Sequence, residues 1–139
     1  MAATIDELNA MFKNTLCESL GMRITEGTAG RLVATMPVDT RTRQLVGLLH
    51  GGASLALAET VASIGGYLLV ADEGKIVAGQ EINANHLRSV QDGNVTAVGE
   101  VIHKGKTSQV WGVSIYDDAQ RLVCVSRCTL AVITPRTDI

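Results

Sequence analysis

The chain has 139 residues, one domain's length, with 46% hydrophobic and 19% charged residues, so it can bury a core and is not intrinsically disordered. Its 12 basic and 14 acidic side chains nearly cancel to a net charge of -2, which leaves no basic field to hold nucleic acid. One Phe, one Trp and two Tyr are too few for a base-stacking platform, and the core must be aliphatic.

Thr4-Ile5-Asp6-Glu7 has the spacing of a capping box, and Leu8, Met11 and Phe12 follow at helical intervals, which predicts a helix over residues 5 to 15. Residues 22 to 26 and 31 to 36 read as short strands joined through Gly27-Thr28-Ala29-Gly30, with Pro37 ending the second. After a polar loop over residues 39 to 44 comes a long apolar segment. Between Arg43 and Asp72 its single charged residue is Glu59. The stretch is long enough to cross a bilayer, but a mid-span carboxylate, glycines, His50, Ser54, Thr60 and Ser63 argue against that, and no membrane partner is expected. It reads instead as a helix from Gly51-Gly52 to about Val70, closed by Asp72-Glu73-Gly74. Because this helix is apolar on nearly every face, it must be covered on more than one side, and the surplus predicts a partner subunit.

From Lys75 the pattern has period two, with strands over 75 to 90, 94 to 103, 107 to 116 and 122 to 133. Short turns between them predict an antiparallel meander. The architecture that follows is α+β, a single antiparallel β-sheet wrapped around one long central α-helix. It forms one domain over residues 1-139, in which 1-20 is an N-terminal helical segment. Cys124 and Cys128 in one extended run would lie about 13 Å apart, beyond disulfide reach. With Cys17 they read as reduced thiols, and without an export signal the expected location is cytoplasmic.

Glu59 is the anomaly. A carboxylate two turns inside an apolar helix is paired, protonated or functional, and positions three and four residues away hold no Lys or Arg. It is either satisfied across the sheet by Arg88 or a backbone amide, or poised as a base or nucleophile with burial raising its pKa. Helical spacing puts Ser63 and Gly66 on its stripe, the expected wall of a groove. Gly51-Gly52 at the helix start would present N–H groups to a carbonyl oxygen, with His50 and Gln44 beside them. Each of these taken alone is equally a loop-to-helix hinge or a structural N-terminal residue.

Other motifs fail. Gly52-Ala53-Ser54-Leu55-Ala56 lacks the strand and parallel sheet of a nucleophile elbow. The run from Gly99 to Thr107 has five residues between its glycines where a P-loop needs four. His50, His86 and His103 are too dispersed for a metal site, so none is expected. Lys104-Gly105-Lys106-Thr107-Ser108 is either a solvated turn or a phosphate-holding hairpin, with His86 and Arg88 expected in the same patch.

Gln44, Leu48-Leu49-His50-Gly51-Gly52-Ala53, Ala58-Glu59, Ser63, Glu81-Ile82-Asn83-Ala84-Asn85-His86 and His103 with Gly105 together resemble the hotdog-fold acyl-CoA thioesterases, over residues 20 to 133. Within them the likeness is to the branch of 1,4-dihydroxy-2-naphthoyl-CoA hydrolases and enterobactin-pathway proofreading thioesterases. The resemblance implies hydrolysis of an aromatic acyl-CoA or acyl-carrier thioester by a homodimer or homotetramer, with no cofactor, since the CoA thioester is itself the substrate. It assigns Glu59 as the catalytic carboxylate and Gly51 N–H as the polariser of the thioester carbonyl. Gln44 and His50 orient substrate and water, and Ser63 supports the water. Glu59 of one chain then faces Gln44 and Gly51 of the other. His86, Arg88, Gly105, Lys106 and Thr107 fall where members contact CoA. A hotdog dehydratase or hydratase is the alternative enzyme, though the proline-rich segment of the dehydratases is absent, and a non-catalytic acyl-CoA-binding protein is the third class.

Overall fold

The structure, a computed structural model, describes residues 3–136, so the first two residues of the expected N-terminal segment and the last three of the expected domain lie outside it. The capping box forms as the spacing predicts. Thr4 Oγ1 accepts from the Glu7 N–H, and the Glu7 carboxylate accepts from the Thr4 N–H at 2.8 Å. The helix it starts, α1 (Ile5–Ala10), is shorter than the expected 5 to 15. Asn14 turns left-handed at φ 61, a conformation Asn tolerates, and the chain restarts as α2 (Leu16–Ser19). Strands β1 (Arg23–Thr28) and β2 (Arg31–Pro37) follow, with Gly30 at φ 83 in the turn between them.

The central helix α3 (Gly51–Leu68) ends two residues before the expected Val70, and a single 3-10 turn at Ala71–Glu73 leads to left-handed Gly74. Then come β3 (Ile76–His86), β4 (Asn94–Lys104), β5 (Ser108–Asp117) and β6 (Leu122–Ile133). All pairings are antiparallel, in the order β1-β2-β4-β5-β6-β3. The expected meander therefore fails at one step, because β3 pairs with β6 at the far edge rather than with β4. The reason is α3 itself. Lying across the inner face, an 18-residue helix spans about 27 Å and carries the chain over the four strand spacings, about 19 Å, that separate β2 from β3.

The buried face of α3 is built of small residues, Ala53, Ser54, Ala58, Ala62, Gly65 and Gly66, with Leu57 and Val61. They let the helix sit close to the sheet. A Cβ on Gly65 would stand 2.5 Å from the Trp111 ring, and one on Gly66 2.5 Å from Leu130. Beneath them buried Gln109 donates to the Gly66 carbonyl at 3.1 Å and accepts from Trp111 Nε1 at 2.8 Å, so the polar atoms of this layer are paired. The outer side of α3 is half-covered by the N-terminal segment, where Cys17 Sγ lies 3.7 Å from Thr60 Oγ1. All three cysteines are free, as expected. No helix among the described residues is long and apolar enough to cross a membrane.

Candidate active site

The loop ahead of α3 is tied down at every turn. Arg41 donates in two places to the Asp39 carboxylate, and these bonds hold that carboxyl well below its usual range, at about 2. Buried Thr42 donates to the Pro37 carbonyl, and Arg43 donates to the Gln91 carbonyl at 3.0 Å. Gln44 then begins a tight turn. Its side-chain oxygen accepts from the Val46 N–H and its main chain pairs with Gly47 and Leu48, which leaves its amide nitrogen free to donate. The turn lifts Leu45 and Val46, 106% and 76% exposed, into solvent.

His50 is the N-cap of α3. Its Nδ1 accepts from the Gly52 N–H at 2.8 Å, so the neutral ring carries its proton on exposed Nε2. The structural role foreseen for this histidine is thus occupied, with one donor left over. Gly51 is the first residue of the helix, and its N–H has no acceptor among the described residues. The His86 ring lies against it, and a Cβ at Gly51 would come within 2.8 Å of His86 Nε2. Gln44, Gly51, His86 and Arg88, with buried Ser54 between them, line one cleft of about 390 Å³.

Glu59 is not in that cleft. It is half-buried rather than sealed in the core, and among the described residues it forms neither an ion pair nor a hydrogen bond. The alternative of a partner in Arg88 therefore does not hold. Its carboxylate lies against Gly79 of β3, where a Cβ would collide with Oε1, and close enough to Cys128 to raise that thiol. Burial is the larger cause and, with Glu59 and Glu81, pushes the Cys128 thiol up to about 11. The expected stripe of Glu59, Ser63 and Gly66 does not form a groove wall, because Gly66 is buried against Leu130 and Gln109. Ser63 instead lines a separate apolar cavity beneath α1 and α2.

Two rulers separate these groups within one chain. Gly51 and Glu59 are eight residues apart on α3, about 12 Å along its axis. On β3, the contacts of the two, His86 and Gly79, are seven residues apart, roughly 23 Å of strand. A carbonyl carbon within reach of both a polarising N–H and a carboxylate needs them within about 6 Å. The expected basic patch is divided as well. His86 pairs with Cys124, whereas the hairpin of Gly105, Lys106 and Thr107 meets the other end of β6, where Val132 donates to the Thr107 carbonyl and Ser108 pairs with Ala131. Lys104 at that hairpin faces Glu73 at 3.6 Å, while Lys106 and Thr107 are exposed.

The thioesterase superfamily model matches residues 46–124, a span holding Gly51, Glu59, Ser63, His86 and the hairpin. The chain belongs to the thioesterase superfamily. It is 50% identical over 129 residues to the proofreading thioesterase EntH of Cronobacter turicensis, covering 93% of each chain. It is 47% identical over 130 residues to the 1,4-dihydroxy-2-naphthoyl-CoA hydrolase of Escherichia coli, covering 94% of this chain and 95% of that one. Among solved structures, a Haemophilus influenzae thioesterase is 44% identical with a TM-score of 0.95, over 100% of this chain and 97% of that one. A Staphylococcus aureus thioesterase, 42% identical, was solved as a Gln→Ala variant and as a Glu→Ala variant, each covering 86% of this chain, with TM-scores of 0.83 and 0.84 and coverages of 98% and 99% of those chains. The fold is accordingly the hotdog fold of the thioesterases, and the protein is a thioester hydrolase.

The sequence reading passed over Gly79, although a glycine inside a strand pattern signals close backbone approach, here that of Glu59. It also passed over the cavity under the N-terminal segment. Nothing in the linear pattern joins Met11, Tyr67 and Ile76, which meet there only through the fold.

Proposed function

We propose that the protein hydrolyses an aromatic acyl thioester, of hydroxynaphthoyl or benzoyl type, in a homodimer whose two sites each take Glu59 from one subunit and Gln44, His50 and Gly51 from the other. The observation that carries this reading is Glu59 itself, a half-buried carboxylate on an apolar helix with no partner among the described residues, held at the sheet's β3 edge. Gly51 N–H, the Gln44 Nε2 amide hydrogens and His50 Nε2–H are free donors at the helix start, suited to a developing oxyanion, yet lie too far from Glu59 in the same chain.

Antiparallel pairing of β3 with β3 of a second copy resolves both separations. It runs the two strands in opposite directions, so the His86 end of one lies beside the Gly79 end of the other. The same pairing brings the Lys106 hairpin of one copy toward His86 and Arg88 of its partner, where they would hold the anionic CoA portion. The exposed Leu45 and Val46 beside Gln44 then lose their contact with water at the subunit boundary. In the variant pair of the Staphylococcus thioesterase, the altered Gln and Glu stand 15 residues apart, the separation of Gln44 and Glu59 here, which supports pairing the two in one reaction.

Glu59 takes a proton from a water that Ser63 supports as that water attacks the thioester carbon, the C–S bond breaks, and the thiol leaves with the proton while the acid is released; if Glu59 attacks the carbon itself, the thiolate leaves first and water then cleaves the resulting anhydride, which releases the acid, restores the carboxylate and supplies the thiol's proton. The names of the relatives support the aromatic class. The test is thiol release from benzoyl- and hydroxynaphthoyl-CoA. Glu59→Gln lowers it by at least about two orders of magnitude with the fold intact. Activity within a few-fold of the parent removes Glu59 from the mechanism.

A further inference from the structure

We infer that the Ser54 hydroxyl is a second hydrogen-bond donor to the thioester carbonyl oxygen, beside the Gly51 N–H. The inference rests on the proposed binding of that carbonyl at the start of α3. Ser54 is 1% exposed and lines the cleft shared by Gln44, Gly51, His86 and Arg88. Its hydroxyl has no hydrogen-bond partner among the described residues. A desolvated hydroxyl without a partner destabilises a fold, and native structures keep few of them.

The first turn of α3 explains why this hydroxyl stays free. A helical Ser or Thr ordinarily donates to the carbonyl four residues back, as Thr60 does to Ala56 at 2.7 Å. For Ser54 that carbonyl belongs to His50. It already accepts from the Ala53 N–H at 3.0 Å and the Ser54 N–H at 3.2 Å, which fills both lone pairs. The cleft offers no side-chain acceptor in exchange from Gln44 or Arg88. The Gln44 side-chain oxygen is taken by the Val46 N–H, and Arg88 has donors only. The Val123 carbonyl in the wall accepts from the Leu87 and Arg88 N–H groups. Ser54 is three residues beyond Gly51 on one face of α3, and helical side chains lean toward the N-terminus, so its hydroxyl projects toward the Gly51 N–H. A carbonyl oxygen bound there meets both donors. Ser54 keeps its proton throughout. It steadies the charge that gathers on the oxygen as the carbon is attacked and that leaves it when the C–S bond breaks.

Two readouts test this. In the first, Ser54→Ala should lower kcat for benzoyl-CoA about tenfold or more with KM within about threefold, because the bond strengthens as the oxyanion forms. Its melting temperature should hold or rise, since an unpaired buried hydroxyl is removed. Ser54→Cys keeps the volume with a weaker donor and should lose less activity than Ser54→Ala. A smaller fall in kcat, a lowered melting temperature or failure to fold in Ser54→Ala, or a greater loss in Ser54→Cys, overturns the assignment. The second readout needs no turnover. Phenacyl-CoA has a methylene between carbonyl and sulfur and so no thioester to cleave, and infrared difference spectroscopy reads its carbonyl stretch. The band should lie lower on the parent protein than in solution and move back toward the solution value in Ser54→Ala. A lowered band that Ser54→Ala leaves in place overturns the role of Ser54 alone. A band that the parent does not lower overturns carbonyl binding at the start of α3, and Ser54 with it. Neither band depends on Glu59, so failure of the catalytic carboxylate is visible separately.

Discussion

The two edges of the sheet are treated in opposite ways. Edge strand β1 has six residues, carries a bulge between Ile24 and Glu26, and is closed by a side chain. Asn9 of α1 accepts from the Ile24 N–H at 2.8 Å and donates to the Ile24 carbonyl at 2.9 Å, mimicking a neighbouring strand. Edge strand β3 has eleven residues, no Pro and no Lys between Ile76 and His86, and among the described residues no side chain that hydrogen-bonds its outer main chain. A long bare edge is a template for pairing, and natural sheets normally blunt such edges. The difference matches the proposed dimer, in which the open edge is the one that pairs. The closed edge is structural, while the open one passes Glu59 at Gly79 and the α3 N-terminus at His86.

Breaking the open edge should have the largest effect. Gln80 is the extra residue of the β3 bulge, facing Leu130 and Thr129 through its neighbours, so proline there disturbs the β3–β6 ladder least. Gln80→Pro is expected to yield monomers by light scattering and to lower thioester hydrolysis by about two orders of magnitude, as far as Glu59→Gln does. A dimer of undiminished activity would place the subunit contact elsewhere. Breaking the closed edge should act on stability alone. Asn9→Ala leaves the N–H and carbonyl of fully buried Ile24 without their partner, at a cost of about 1–3 kcal/mol in denaturant unfolding, with oligomeric state and kcat unchanged. A change in assembly on that side would erase the contrast.

Several of these features were legible in the sequence for a physical reason. The capping box, the helix opening at Gly51 and the four long strands are local signals, and Glu59 stands out because it is the one charge in a long apolar segment. The strand order was not legible. A short polar connection looks the same whether it makes a hairpin or, as residues 87 to 93 do, returns the chain from the far edge to β4. The same blindness joined His86 and Arg88 to the Lys106 hairpin, when strand length puts them at opposite ends of β6. Gly66 stands on the Glu59 stripe yet packs against Leu130 and Gln109 instead of walling a groove, because helical spacing fixes a residue's direction and not which neighbour it meets.

The proposed sharing of each site between two copies is most directly tested by subunit mixing. Glu59→Gln and Gln44→Ala proteins, each deficient alone, are unfolded together and refolded as a mixture. In a mixed dimer one site then has both altered residues and the other has neither. The account predicts recovery of about a quarter of the parent's thioester hydrolysis, since half the dimers are mixed and each has one intact site. Activity no higher than the mean of the two separate variants, in a mixture shown to contain mixed dimers, would place Glu59 and Gln44 in the same chain's site and contradict it.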